Sequence, residues 1–177
     1  MDVEGVEETR RGNRVTRSFG LKGGAWMRHA NPASVWTRFA TLPLLALAIW
    51  SRDWIGWWSL IPIGLSLEWV IVNPRFFHEP SSTKNWASRS VLGERIWTEG
   101  NRSSFPPEFV SRVPNVAIAF QVVGLIVLVY GLIELDPVAS VTGVVVVQLA
   151  KIWYLDRMIL LFEAMKSRSA EYAAWDF

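Results

Sequence analysis

At 177 residues the chain has the length of one domain, yet its hydrophobic fraction of 51% and its 11 tryptophans exceed what a soluble domain usually carries. The absence of cysteine excludes disulfides, iron–sulfur clusters, thiolate zinc sites and a cysteine nucleophile. A net charge of +2 could suggest nucleic acid, but the basic residues flank apolar stretches and are more simply explained by membrane orientation.

Residues 1–25 are polar, charged and glycine-bearing, with no apolar run. They read as a disordered basic tail, neither a signal peptide nor a twin-arginine export signal despite Arg10 and Arg11. Four apolar stretches follow, at residues 35–50, 55–72, 113–135 and 138–154. Each is about long enough to cross a hydrocarbon core of about 30 Å as helix. The expected fold is therefore all-α, a polytopic membrane protein with four transmembrane helices in two hairpins. Pro43 and Pro62 interrupt the first hairpin, the second is rich in Val and Gly, and Asp53 and Asp136-Pro137 mark the turns.

The central segment, residues 74–112, is too long for a mere connector. Asn85 can cap a short helix over residues 85–97, where Trp86, Val91, Leu92, Ile96 and Trp97 alternate with Arg89, Glu94 and Arg95. Aromatic and basic side chains together suit the headgroup layer, so this helix is expected to lie along the interface. Past the fourth stretch, Leu155, Met158, Ile159, Leu161, Phe162 and Met165 carry an apolar stripe onward to a tail over residues 166–177.

Orientation follows from the charges. Residues 1–38 hold seven Lys or Arg, residues 74–112 hold six, and four lie after residue 150, whereas the hairpin turns hold only Arg52. The positive-inside rule places both ends and the central loop in the cytoplasm. The sequon at Asn101 then lies inside and carries no glycan.

Depth gives the site candidates. Glu68 lies about four residues short of the cytoplasmic end of the second stretch, about 6 Å inside it. Gln148 and Lys151 occupy the corresponding part of the fourth. Ionisable groups within a membrane are costly and pair across helices, so Glu68 is expected to meet the Gln148/Lys151 face. In the same layer fall Arg38, Arg75, Arg89, Arg95, Arg157, His29, His78, Asp156 and Trp86. Converging arginines could clamp a carboxylate or phosphate against tryptophan walls, with Glu68, Asp156, His29 or His78 as proton carriers. The competing reading is an ordinary aromatic belt with solvated charges.

Two histidines are too few for a His-rich di-iron site, and His78-Glu79 with distant His29 makes a poor metal set. No metal is expected, and no cofactor is identifiable. His-Glu-x-x-His, Gly-x-Ser-x-Gly and phosphate-binding glycine loops are absent from the sequence.

The segments His29-Ala30-Asn31-Pro32 through Arg38, Asn73-Pro74-Arg75, Asn85 through Arg89, Gly93-Glu94-Arg95 and Trp153 through Met158 resemble the markers of a family of small membrane proteins known only as a domain of unknown function. The similarity covers about residues 26–165. It implies a four-helix membrane architecture and says nothing of chemistry.

Two functions are compatible with these readings. One is a membrane enzyme acting on a lipid-soluble or amphiphilic small molecule at a polar, Trp-lined cytoplasmic-side site. The other is a non-catalytic accessory or transport-related bundle. Membrane lipids are the expected partners, with nucleic acid excluded and homo-oligomerisation left open.

Overall fold

The computed structural model describes residues 24–109 and 113–177. Residues 1–23 of the expected tail and Arg112 lie outside the described residues, while Gly24 and Ala25 are helical and not part of a tail. All regular structure among these is helical. In chain order the helices are α1 Gly24–His29, α2 Pro32–Trp50, α3 Arg52–Ile55, α4 Leu60–Phe76, α5 Trp86–Glu99, α6 Val113–Glu134, α7 Pro137–Lys166 and α8 Ala170–Ala173. Two compact units result among the described residues: Trp36–Asn73 with Val113–Tyr154, and residues 24–35 with 74–109 and 155–177.

The first of these units holds the apolar helices. Three helical stretches, within Pro32–Phe76, Pro107–Glu134 and Pro137–Lys166, are long and apolar enough to cross a membrane, which is compatible with a membrane protein. They turn large side chains outward: Leu44, Leu65, Ile71, Ile126, Ile133 and Leu149 are all more than half exposed. Their inner contacts use small residues and a few polar bonds. Ala46, Leu128 and Leu132 form a core joined by Leu42, Ile49, Trp50 and Val144. Gly143 lies against the Leu128 backbone and Gly131 against Ser140, so α6 and α7 approach more closely than any side chain would allow. Trp50 Nε1 donates to Ser140 Oγ at 3.0 Å, tying α2 to α7. Asn73, fully buried, donates to Thr37 Oγ1 at 2.8 Å and ties α4 to α2.

The turns differ from expectation in an instructive way. Pro43 lies inside α2 without ending it, and Pro62 sits in the first turn of α4, where its missing N–H has no intrahelical role. The second apolar helix begins at Leu60 and not at residue 55, because residues 52–59 form two short turns. These turns expose Trp54, Trp57 and Trp58, which are 66%, 87% and 72% exposed. At the other hairpin, Asp136 Oδ1 accepts from the backbone N–H of Val138 and Ala139 and caps α7. Arg52 donates to the Leu132 and Ile133 carbonyls, filling acceptors that α6 leaves open at its end.

The second unit is built around α5. Asn85 accepts from the Ser88 N–H and starts this helix. Ala87, Ser88, Ser90, Val91, Leu92, Gly93 and Ile96 are all buried. The apolar face expected to lie on a membrane interface is thus covered by protein, with Trp86 and Trp97 left half-buried. Ser88 Oγ donates to the Ala30 carbonyl, and Gly93 lies directly against the Met158 backbone. The α7 stripe supplies the other side: Leu155, Met158, Leu161, Phe162 and Met165 are buried.

Candidate functional site

Because Gly93 lets α5 and α7 touch at backbone distance, the polar side chains flanking that crossing are brought within reach of one another. Arg89 and Lys166 share two acids. Arg89 Nη1 is 3.0 Å from Glu163 Oε1, and Arg89 Nη2 donates to Asp176 Oδ1 at 3.0 Å. Lys166 Nζ is 2.8 Å from Glu163 Oε2 and donates to Asp176 Oδ2 at 2.8 Å. The Asp176 side chain is 13% exposed, so this pairing is less screened than a surface ion pair. Hydrogen bonds from Lys166 and then Arg89 hold the Asp176 carboxyl below its ordinary range, outweighing the opposing effect of burial.

Asp176 reaches this cluster because the residues on either side of it are held by Ser82 and Thr83. The Thr83 N–H donates to the Phe177 carbonyl at 2.8 Å, and the Phe177 N–H donates to Thr83 Oγ1 at 3.0 Å. Thr83 Oγ1 donates to the Trp175 carbonyl at 2.7 Å, and Ser82 Oγ to the Phe177 carbonyl at 2.9 Å. Arg95 lies over the Trp175 ring at 4.2 Å, while its Nε donates to Glu99 Oε2 at 3.0 Å. Glu99 Oε1 in turn accepts from the buried Trp26 indole at 2.8 Å.

Of the candidates named from sequence, Arg89 pairs with Glu163 and Asp176, whereas Arg95 pairs with Glu99 and lies over the ring of Trp175, so the two arginines hold neighbouring residues and not one anion. Asp156 and Trp86 also meet, through a 2.7 Å bond from the indole Nε1 to Oδ1, so that carboxylate serves as acceptor for a wall tryptophan. Arg157 is half-buried, with an Nε that finds no hydrogen-bond acceptor among the described residues. His29 stands edge-on to Trp26, at 5.8 Å between ring centres. His78 and Arg75 are exposed, and the His78 backbone carbonyl accepts from Asn31.

Glu68, Arg38 and Lys151 belong to the apolar unit. The expected meeting of Glu68 with the Gln148/Lys151 face is replaced by another contact. Gln148 Nε2 donates to the Phe39 carbonyl at 2.6 Å and Lys151 Nζ lies 4.5 Å from the Phe39 ring centre, both on α2, while Glu68 stands exposed on α4. Arg38 neighbours Phe39 and is half-buried. Among the described residues, no group of three or more His, Asp or Glu is placed to hold a metal ion.

Sequence reasoning missed Glu163, Lys166, Asp176 and Thr83. The signal for the first two was present, since Glu163 and Lys166 lie three residues apart on the continuing α7 stripe. Asp176 lay in what reads as a tail, and nothing local marks it as a partner of Arg89.

Residues 11–175 match the model of a family described as "Family of unknown function (DUF6653)". The chain belongs to that family. No curated protein and no solved structure matches it.

Proposed function

We propose that this family member is a multi-pass membrane protein in which α2, α4, α6 and α7 make four spans, paired as two hairpins. Its α5–α7 pocket recognises a monoanionic amphiphile. The 17 residues of α4 are within the length a span requires, about 17–25 residues. The outward apolar side chains of α2, α4, α6 and α7 support lipid contact, since a protein in water seldom leaves so much apolar surface uncovered. The count of Lys and Arg supports a cytoplasmic position for residues 74–112 and both ends of the chain.

The observation that carries the binding role is the Asp176 carboxylate held by both Arg89 and Lys166. This pairing of one carboxylate with two cations supports reading the cluster as a carboxylate-receiving site. Charge selects the ligand. With Asp176 in place, two cations face two acids; with it withdrawn, Glu163 balances one cation and a single positive charge remains. A carboxylate or phosphodiester head group matches that charge. Binding is favoured over acid–base catalysis because Asp156 is engaged by Trp86 and Glu68 is exposed on α4.

The test is a calorimetric titration of the protein in lipid nanodiscs with decanoate and with decanol. Decanoate should bind about ten-fold more tightly or better, and Arg89→Lys should erase the preference by removing the planar fork. Equal affinity for acid and alcohol would refute the role.

A further inference from the structure

The pocket is filled by the chain's own residues 175–177, and three features bear on what that occupancy does. The first is that the contact is made by hydrogen bonds, ion pairs and one cation–ring contact, Arg95 over Trp175. Asp176 is held by Arg89 and Lys166, and the backbone of its two neighbours by Ser82 and Thr83. The second is the want of buried anchorage. α7 ends on buried Phe162 and Met165, whereas none of residues 167–177 is buried and Phe177 is 47% exposed. A segment attached by hydrogen bonds and ion pairs, with no fully buried residue, opens at lower cost than a packed helix. Ser167 and Arg168, both exposed, join it to α7 and leave room for it to swing away.

The third is that Asp176 uses the pocket incompletely. It takes Arg89 by Nη2 alone, while Arg89 Nε is buried without a hydrogen-bond partner among the described residues. A free carboxylate approaching the guanidinium side-on could accept from Nε and Nη2 together, the two-pronged geometry that a tethered aspartate does not reach. An external monoanion would therefore gain a hydrogen bond that the resident one forgoes.

We propose that residues 175–177 are a detachable cis ligand that keeps the anion pocket closed until an amphiphilic carboxylate replaces the Asp176 side chain. This rests on the binding role proposed above. A tethered competitor acts at an effective concentration in the millimolar range. A segment docked for about 90–99% of the time lowers the apparent affinity of an external ligand by about 10- to 100-fold.

The experiment compares three chains in nanodiscs: unaltered, Asp176→Asn, and shortened after Ala174. Each is titrated with decanoate and decanol, and the shortened chain also with the peptide Tyr-Ala-Ala-Trp-Asp-Phe. Both altered chains should bind decanoate at least about ten-fold more tightly than the unaltered one, with decanol unchanged. The peptide should compete with decanoate, and its Asp-to-Asn counterpart should not. If all three chains prefer decanoate equally, the cis-ligand proposal fails and the binding role survives. If the peptide binds but no chain prefers decanoate to decanol, the binding role fails and takes the proposal with it. Failure of the peptide to bind a shortened chain that keeps its melting temperature would also overturn the proposal.

Discussion

Gly93→Ala is the sharpest perturbation of the α5–α7 crossing. A Cβ at position 93 would fall on the Met158 carbonyl group and lie 3.1 Å from its Cα, so backbone and not a movable side chain is the obstacle. Neighbouring Val91, Leu92 and Met158 are 2%, 0% and 1% exposed, leaving no space into which either helix could shift. In an unobstructed helix the change would stabilise by about 1 kcal/mol. Overpacking against a fixed partner costs about 1–3 kcal/mol or more, and rigid backbone puts this case at the upper end. The net loss should be about 2 kcal/mol or greater, a fall of about 4–8 °C in Tm on the scale of soluble proteins of this size. Gly64→Ala is the control, since a Cβ there meets nothing within 4 Å. Thermal unfolding in micelles should show Gly93→Ala lowered and Gly64→Ala unchanged or raised. Equal behaviour of the two would refute the close crossing on which the pocket depends.

Four further outcomes follow from the contacts. Because the folded Asp176 carboxyl lies below the ordinary value of 3.8, its contribution to docking is present above that pH and is lost as pH falls through the lowered value. Protease cleavage between residues 167 and 174 should therefore be constant from pH 7 to about pH 4 and rise only in stronger acid; a rise near pH 6 would contradict the assignment. Trp86→Phe removes the donor to Asp156 and should cost about 1–3 kcal/mol, with most of that loss absent when Asp156→Leu is already present; additive losses would show the pair uncoupled. Glu68→Gln and Lys151→Met should be additive within about 0.5 kcal/mol, because Lys151 is turned to Phe39; strong coupling would restore the expected ion pair. Asn73→Leu should destabilise by leaving Thr37 without its donor, and Thr37→Val should relieve part of that loss, as double-cycle melting would reveal.

How much of this was legible depended on whether the partner lay nearby in sequence. Helices α2, α6 and α7 announce themselves by long, mostly apolar stretches, and the Asn85 and Asp136 caps lie within three residues of the groups they bind. The start of α4 was misplaced because Trp54, Ile55, Trp57 and Trp58 are as apolar as a span but belong to exposed turns. The burial of α5 was hidden for the opposite reason: Ala87, Ser88, Ser90 and Gly93 are too small and polar to suggest a core, yet their size is what admits α1 and α7. Arg89 and Arg95 could be named as anion binders from residue type alone. The acid that Arg89 shares with Lys166 could not, since Asp176 is 87 residues from Arg89 and is held there by the Thr83 contacts of its neighbours.

The central claim is that this chain threads a membrane with its charged unit on the cytoplasmic side. Since the sequence has no cysteine, single cysteines at Asp53 and Ser104, both exposed, report each side without background. In intact cells an impermeant maleimide should label Asp53→Cys and leave Ser104→Cys unlabelled until the membrane is opened. Labelling of Ser104→Cys from outside, or of both positions from the same side, would contradict the account.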